Sequence, residues 1–546
     1  MIGALNKSLF FMGCLTLCAV VNCSFITNHD ATQCKTTPDC TARGPEFKGL
    51  ICSDQGVCVK EGGCGSNQEC ITANGGKPFI CRKADRTCIS LETEACKPTL
   101  AEPGDVANDD TVWLGSILPI TGDDSGFGLS LQASIDLARQ EWRDVAKGLA
   151  PVSLGGNRRP IAVVACDQEK NPEAIANYLV NDLKVPAIMG PAYSSIALTL
   201  VPLTVAKGTL LMGVPTTSDL LTGIPSSNPR LFWRTTPADS FQSKGIAKYV
   251  AEIAEPRVRA RLVGTAKTEP LRLAISYRDD IYGQGIVESL ATLGIVNGKP
   301  FADPSNAALI KRFNHGNPET SANPAAQYES VAAQIVAFQP HILVMIGFAD
   351  DTLAMITPIE KNWTATTFRT EIIGSSGIDD LATFESPDPT YKSRVIKFAL
   401  GARAVNPAYA RFADLYKAKI KDVELTSDAA FAYDAFYALA YAMAQAGEQP
   451  LTGVNVARGM EKLSSGAIVN VGISNLFNGL TFAANKQPFN LEGASGPLDW
   501  NNNTGDVNGD VDTSCIKDNP VRFESSGVFY NAVADVIQGT RSADCK

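Results

Sequence analysis

"PAIMGPAYSSIALTLVPLTVAKGTLLMGVPTTSD" occupies residues 186–219. A short apolar run ends at Gly190-Pro191, and the hydroxyls of Ser194 and Ser195 follow. A longer apolar stretch, "SIALTLVPLTVA", leads to a second short run, "LLMGV", closed by Pro215 and "TTSD". Short apolar runs bounded by Gly and Pro read as buried strands, and the stretch between them reads as a crossover helix. The unit predicted is strand, helix, parallel strand. Both strand ends present hydroxyls, at Ser194 and Thr217, where a helix is expected to start.

The same alternation extends outward. "VWLGSILPI" (112–120) is predicted as a strand and "GLSLQASIDLARQEW" (128–142) as a helix. "IAVVA" (161–165) is a further strand, and "PEAIANYLVNDL" (172–183) a further helix. The pattern restarts at "LRLAISY" (271–277) and continues through "HILVMIGF" (341–348), "DTLAMITPIE" (351–360) and "EIIGSS" (371–376). Two successive α/β sets predict two lobes with parallel sheets. The C-terminal part is helical through "DAAFAYDAFYALAYAMAQA" (428–446), then turns to Gly- and Asn-rich hairpins.

Ligands of open α/β sheets sit at the carboxyl ends of strands, where helix N-termini offer free N–H groups. Ser194 and Thr217 would add hydroxyl donors there, which suits a carboxylate or another small anionic group. The same residues also serve as ordinary helix caps.

Composition narrows the function classes. The 546 residues are 45% hydrophobic and 19% charged, with a net charge of −9 and no long basic run, which argues against nucleic acid as a partner. Only His29, His315 and His341 are present, which disfavours histidine-based catalysis and zinc sites. No Gly-x-Ser-x-Gly elbow, phosphate loop or paired metal motif occurs, so the chain is expected to be no enzyme, with neither metal nor cofactor.

The N-terminus reads as a signal peptide over 1–22: Lys7 precedes an apolar run from Leu9 to Val21, too short to span a bilayer. "AVVN" before Cys23 resembles the lipobox of bacterial lipoproteins, which implies lipidation at Cys23, although Asn22 stands where a small residue is usual. Fifteen cysteines support export. Cys34, Cys40, Cys52 and Cys58 form one unit, and Cys64, Cys70, Cys81 and Cys88 repeat its spacing. Each unit is too small to bury a core, and no C-x2-C pair suits zinc, so disulfides inside each repeat are expected, with the connectivity open. Cys515 and Cys545 are expected to pair, as are Cys96 and Cys166, bracing the linker against the first lobe. The expected domains are a Cys-rich module over 30–96, a Pro-, Gly- and acid-rich linker over 97–110, and a two-lobed domain over 111–546. Its first lobe begins as 111–236, its second is about 237–375, and later segments return to both.

Several motifs, in order, resemble one family. "WLGSILPITGDDSGFG" is similar to the opening of type I periplasmic substrate-binding proteins, the branched-chain amino acid-binding family. "MGPAYSS" resembles its Gly-Pro-x-x-Ser turn, and "VPTTSDLLT" its Pro-x-Thr segment. "RDDIYGQG", "AYDAFYALAYAM" and "GASGPLDWNNNTGD" resemble its Asp-x-Tyr-Gly-x-Gly segment, its C-terminal helix and its terminal hairpin. The likeness covers about 110–535 and leaves out the Cys-rich segment. The resemblance implies an α/β fold of two Rossmann-like lobes joined by crossing strands, which close on a ligand. It implies that Ser194 and Thr217 hold a ligand carboxylate, that Tyr282 reaches in from the second lobe, and that Phe127 and Phe348 are aromatic walls. Tyr193, beside the turn, is a further lining residue.

One departure stands out. Amino-acid binders of this family present an acid from the second lobe to the ligand ammonium, and the matching stretch "SANPAAQYES" (321–330) has none where one is expected. Asp350 or Asp351 could substitute, though capping of the following helix at the surface is the simpler reading. Aromatic acids, amides, urea-like molecules and peptides remain candidate ligands beside amino acids. The implied role is an exported solute-binding protein that serves the permease of an ABC-type importer from a lipid anchor. The alternative is a ligand-sensing lipoprotein acting through a separate signalling partner. "DWNNNTGDVNGDVD" (499–512) has oxygen ligands spaced somewhat like a calcium loop, but its glycines do not fit the EF-hand order and the family has a hairpin there.

Overall fold

The computed structural model describes residues 33–545, except 53–55, 57, 61–62, 153–154, 225–226, 402–405, 448 and 519. The signal peptide expected over 1–22 and the lipidation expected at Cys23 lie outside the described residues. The chain divides into two compact units, Met1–Ile89 and Ser90–Lys546.

In the first unit each cysteine repeat builds a short helix and a hairpin. Thr37–Thr41 precedes the pair Leu50–Cys52 and Cys58–Lys60; Asn67–Ala73 precedes Phe79–Arg82 and Thr87–Ser90. Disulfides join first to third and second to fourth cysteine in each: Cys34–Cys52 and Cys40–Cys58, then Cys64–Cys81 and Cys70–Cys88. The cysteines are themselves the core of each repeat, with few other apolar side chains packed on them. So small a cluster needs covalent closure to hold its shape.

The second unit starts earlier than the sequence reading places it. Cys96–Leu100 forms an edge strand antiparallel to Ile161–Asp167, with Cys96 opposite Cys166 and bonded to it. Residues 97–100, expected in a linker, are therefore sheet. The disulfide fixes their register and Leu100 is buried in the core.

The first lobe holds a six-stranded sheet ordered Phe232–Arg234, Leu210–Gly213, Ala187–Met189, Val112–Leu118, Ile161–Asp167 and Cys96–Leu100. All neighbours run parallel except the last pair. The five parallel strands are buried on both faces, as parallel sheets covered by helices require. Helix Ala429–Ala446 returns to this lobe late in the chain. Its Tyr437 and Tyr441 pack edge-on against Trp142 of helix Ser125–Ala146, and its Tyr433 and Tyr437 donate to the buried Glu141 carboxylate.

The second lobe holds an eight-stranded sheet. Ile310–Gly316, Leu273–Arg278, Ile342–Ile346, Glu371–Gly374 and Val395–Leu400 run parallel; Val511–Lys517, Arg522–Asn531 and Val536–Gly539 continue it antiparallel. Cys545 is bonded to Cys515 on the first of these late strands. The chain crosses between lobes after Arg234, after Leu400 and before Val511. These crossings are knitted together: Arg234 N–H donates to Gly505 O, Trp500 Nε1 to Arg234 O, and Gly401 N–H to Asp510 O. Two α/β lobes joined by three crossings make up a type I periplasmic binding protein fold.

Candidate functional site

Parallel pairing of Ala187–Met189 with Leu210–Gly213 brings their carboxyl ends side by side. At Gly190 the backbone turns with φ +98°, and a Cβ there would lie 2.2 Å from Ile117 O. Only glycine fits so close an approach in the left-handed region. The chain then passes Tyr193 and enters helix Ser194–Ala206. The second strand end behaves differently from the sequence reading. "TTSD" opens only a three-residue 3-10 turn, Asp219–Leu221, because Ser218 Oγ caps Leu220 N–H and the chain then leaves for the next strand. Nor do its amides point outward: Thr217 N–H and Ser218 N–H donate to Ser194 Oγ at 3.2 and 3.1 Å. The serine hydroxyl ties the two turns together. With two donors on its oxygen, its own proton is left to donate, and the donors polarise it in that direction.

Ser194, Thr217, Tyr282, Tyr193, Phe127 and Phe348 all line one cleft of about 1410 Å³ between the lobes. Three rings cross it. Phe348, from the second lobe, stacks on Tyr282 with centroids 5.4 Å apart and planes 9° apart. Its other neighbour is Tyr193 of the first lobe, 5.8 Å away. Tyr193 donates its hydroxyl to Asp124, and burial pushes its ionisation well above the usual phenol range. The Tyr282 hydroxyl lies 3.3 Å from both Gln242 Oε1 and Ser376 Oγ, and burial raises its pKa likewise. Phe127, on helix Ser125–Ala146, lines the same cleft outside this ring stack.

Three supports were not singled out in the sequence. Arg234 is fully buried and holds the "PTTS" turn from behind: its guanidinium donates to Thr216 O, Ser218 O, Thr222 Oγ1 and Asp506. Gln168 Oε1 accepts Ala192 N–H at 3.0 Å beside the Tyr193 turn. Asp239 opens helix Asp239–Tyr249 just after the first crossing, and its N–H donates to Thr217 O at 2.8 Å. Its carboxylate is 1% exposed, and neither oxygen has a hydrogen-bond partner of sound geometry. Burial pushes it up to about 8, with the Thr217 hydroxyl beside it pulling the other way. The signal for all three was "FWRTTPAD" (232–239) and "DQ" (167–168): charged and amide residues directly after strands.

The acids expected as surface caps divide. Asp351 does cap, accepting Phe348 N–H at 2.8 Å, but it is buried and also faces Arg278 at 3.3 Å. Asp350 lines the cleft. In the stretch considered for calcium, the Asp506 carboxylate is spent on Arg234 at 2.7 Å. Among the described residues, the clusters with metal-ligand spacing are cysteines already in disulfides.

Solved structures that this fold resembles include solute binders. A leucine-binding protein, LivK, of Thermotoga maritima superposes with a TM-score of 0.55 at 18% identity, covering 76% of this chain and 98% of that one. A branched-chain amino acid transporter substrate-binding protein, LivJ, of Streptococcus pneumoniae, in complex with isoleucine, gives 0.54 at 17%, covering 79% and 100%. A solute-binding protein of Rhodopseudomonas palustris, in complex with 3,4-dihydroxybenzoic acid, gives 0.54 at 15%, covering 78% and 98%. No curated protein matches the sequence. The model of the periplasmic binding protein family matches residues 111–487, which hold most of both lobes and Ser194, Thr217, Tyr282 and Phe348 of the cleft. The chain belongs to the periplasmic binding protein family.

Proposed function

We propose that this protein captures a small polar solute, an amino acid or a related carboxylate or amide, between its lobes and hands it to the permease of an ABC-type importer. It does no chemistry on the solute. Ser194 and Thr217 donate to the ligand carboxylate, each charge-assisted bond contributing about 1.5–3 kcal/mol. Tyr282, Tyr193 and Phe348 wall the ligand, and Phe127 stands at the rim. Closure of the lobes brings the Tyr282 wall onto the ligand held by the Ser194 turn.

The observation that carries this reading is the meeting of Ser194 and Thr217 from the first lobe with Tyr282 from the second in one cleft. Arg234 and Ser194 hold the hydroxyl turns rigid, which limits the ordering cost of binding. Relatives that bind isoleucine and dihydroxybenzoic acid show which ligands this fold accepts elsewhere. Export and a lipid anchor at Cys23 would keep the protein beside its permease. No helix among the described residues is long and apolar enough to cross a membrane.

A thermal-shift screen over small metabolites tests the reading, since a ligand of the native state raises the melting temperature. Thr217→Ala should reduce the shift, by the equivalent of about a tenfold loss of affinity. A shift that survives Ser194→Ala, Thr217→Ala and Tyr282→Ala alike would place binding outside the cleft.

A further inference from the structure

We infer that the ligand carries net positive charge: an organic amine or guanidinium compound, with or without a carboxylate. This rests on the proposed capture of a solute in the cleft and specifies its class. The walls of the cleft carry twelve carboxylate side chains against five cationic ones. At the mouth, beside the ring stack, the carboxylates come from both sides: Asp123 and Asp124 from the first lobe, Asp350 and Asp380 from the second. The nearby cations are already engaged. Lys397 is 1% exposed and bonded to Asp379 at 2.5 Å. Arg278 is 5% exposed and outnumbered by Asp280, Asp351 and Glu319.

The acids feel one another across the gap. Asp350 is pushed up first by partial burial and then by Asp124, Asp123 and Asp380. Asp380 is raised by partial burial, then by Asp379 and Asp124. A cation between the lobes would relieve this repulsion on closure, whereas an anion would add to it. A cleft of one sign also concentrates ligands of the other.

Two further observations, independent of the surface acids, point the same way. Asp239 is nine-tenths buried and more, its two oxygens unpartnered, and it lies against the Thr217 hydroxyl and within electrostatic reach of Tyr282, both of which line the cleft. Behind the Thr217 side of the cleft, burial holds Asp239 protonated up to about pH 8, and a cationic group drawn in there favours its carboxylate form. The wall is also aromatic. Tyr193 and Tyr282 line the cleft on either side of Phe348, whose ring already holds the Arg278 guanidinium 4.9 Å from its centroid, and such rings attract cations.

Calorimetric titration of the full mature chain with L-arginine, L-lysine and spermidine, against L-leucine and 4-hydroxybenzoate, tests this. At low salt the best cation should bind about tenfold or more tightly than either non-cationic probe and should weaken as salt rises. The exposed pair change Asp350→Asn/Asp380→Asn should cost that cation about tenfold and leave the ligand-free melting temperature no lower, since it removes repulsion between the acids. Cations that do not bind, bind no better than leucine, or are indifferent to the pair change overturn the inference. If leucine or 4-hydroxybenzoate binds instead and Tyr282→Ala removes it, solute capture in the cleft stands. If no probe binds, the charge inference falls, while capture of another solute in the cleft is decided by the thermal-shift screen and by Thr217→Ala, which leaves the fold intact.

Discussion

Ser194 Oγ accepts Thr217 N–H at 3.2 Å across a sequence separation of 23 residues, and Ser218 N–H at 3.1 Å beside it. One hydroxyl therefore does two jobs: it locks the second turn to the first, and it keeps a proton to offer. Ser194→Ala should lower stability by about 1–3 kcal/mol, because two buried amides lose their acceptor. It should also weaken ligand. Thr217→Ala should weaken ligand about tenfold with little change in stability. Urea unfolding beside a binding titration separates the two effects; equal and negligible stability changes would contradict the lock.

Tyr282 stacks on Phe348 and its hydroxyl reaches Gln242 and Ser376. Tyr282→Phe keeps the ring and should retain most of the fold and part of the affinity. Tyr282→Ala removes a buried ring and should cost about 3–5 kcal/mol in stability as well as binding. Denaturant midpoints for the two variants check the order; an Ala variant as stable as the Phe variant would show that the ring is not packed as described.

Asp239 gives the protein a pH dependence. Its folded pKa of about 8 lies above the ordinary unfolded value near 3.9. Between those values the folded state keeps a proton that the unfolded state releases, so stability falls as pH rises, by up to about 1.4 kcal/mol per pH unit. Asp239→Asn should remove this slope, with a gain that is absent near pH 4 and largest by pH 8. Asp434, pushed up to about 7 by burial, contributes the same sign in both proteins and cancels in the difference. Parallel unfolding curves for wild type and variant across that window would contradict the assignment.

The Cys96–Cys166 bridge closes a separation of 70 residues and staples the edge strand to the first lobe. Replacing both cysteines by alanine should lower stability by about 2–4 kcal/mol. Peptide mapping without reduction should find this bridge, Cys515–Cys545, and no bridge between the repeats 34–58 and 64–88. A bridge between repeats would mean that they do not close separately.

The two lobes were legible because buried parallel strands are nearly continuous apolar runs, as in "LLMGV" and "HILVMIGF", with amphipathic helices between them. The hydroxyl turns were legible for the same reason: Gly190-Pro191 and Pro215 punctuate strand ends. What lay beyond the sequence was long-range pairing. "KPTL" after Cys96 has the Pro and the brevity of a linker, and only its partner strand Ile161–Asp167 makes it an edge. "TTSD" carries helix-start chemistry, but Ser194 takes its amides from 23 residues away. Arg234 read as a charge after a strand, since nothing local reveals that it is buried against Asp506. The Tyr193–Phe348–Tyr282 stack joins residues from both lobes, so it appears only once the lobes meet.

On the proposed reading, the Ser194 turn and Tyr282 grip one ligand from opposite lobes. A crystal structure of the protein with the solute identified by thermal shift tests it most directly. Ligand density is expected between Ser194 Oγ, the Thr217 hydroxyl and the Tyr282 ring, with a carboxylate or other acceptor oxygen within hydrogen-bond distance of both hydroxyls. Density elsewhere, with Phe348 still stacked on Tyr282 and the Ser194 turn untouched by ligand, would contradict it.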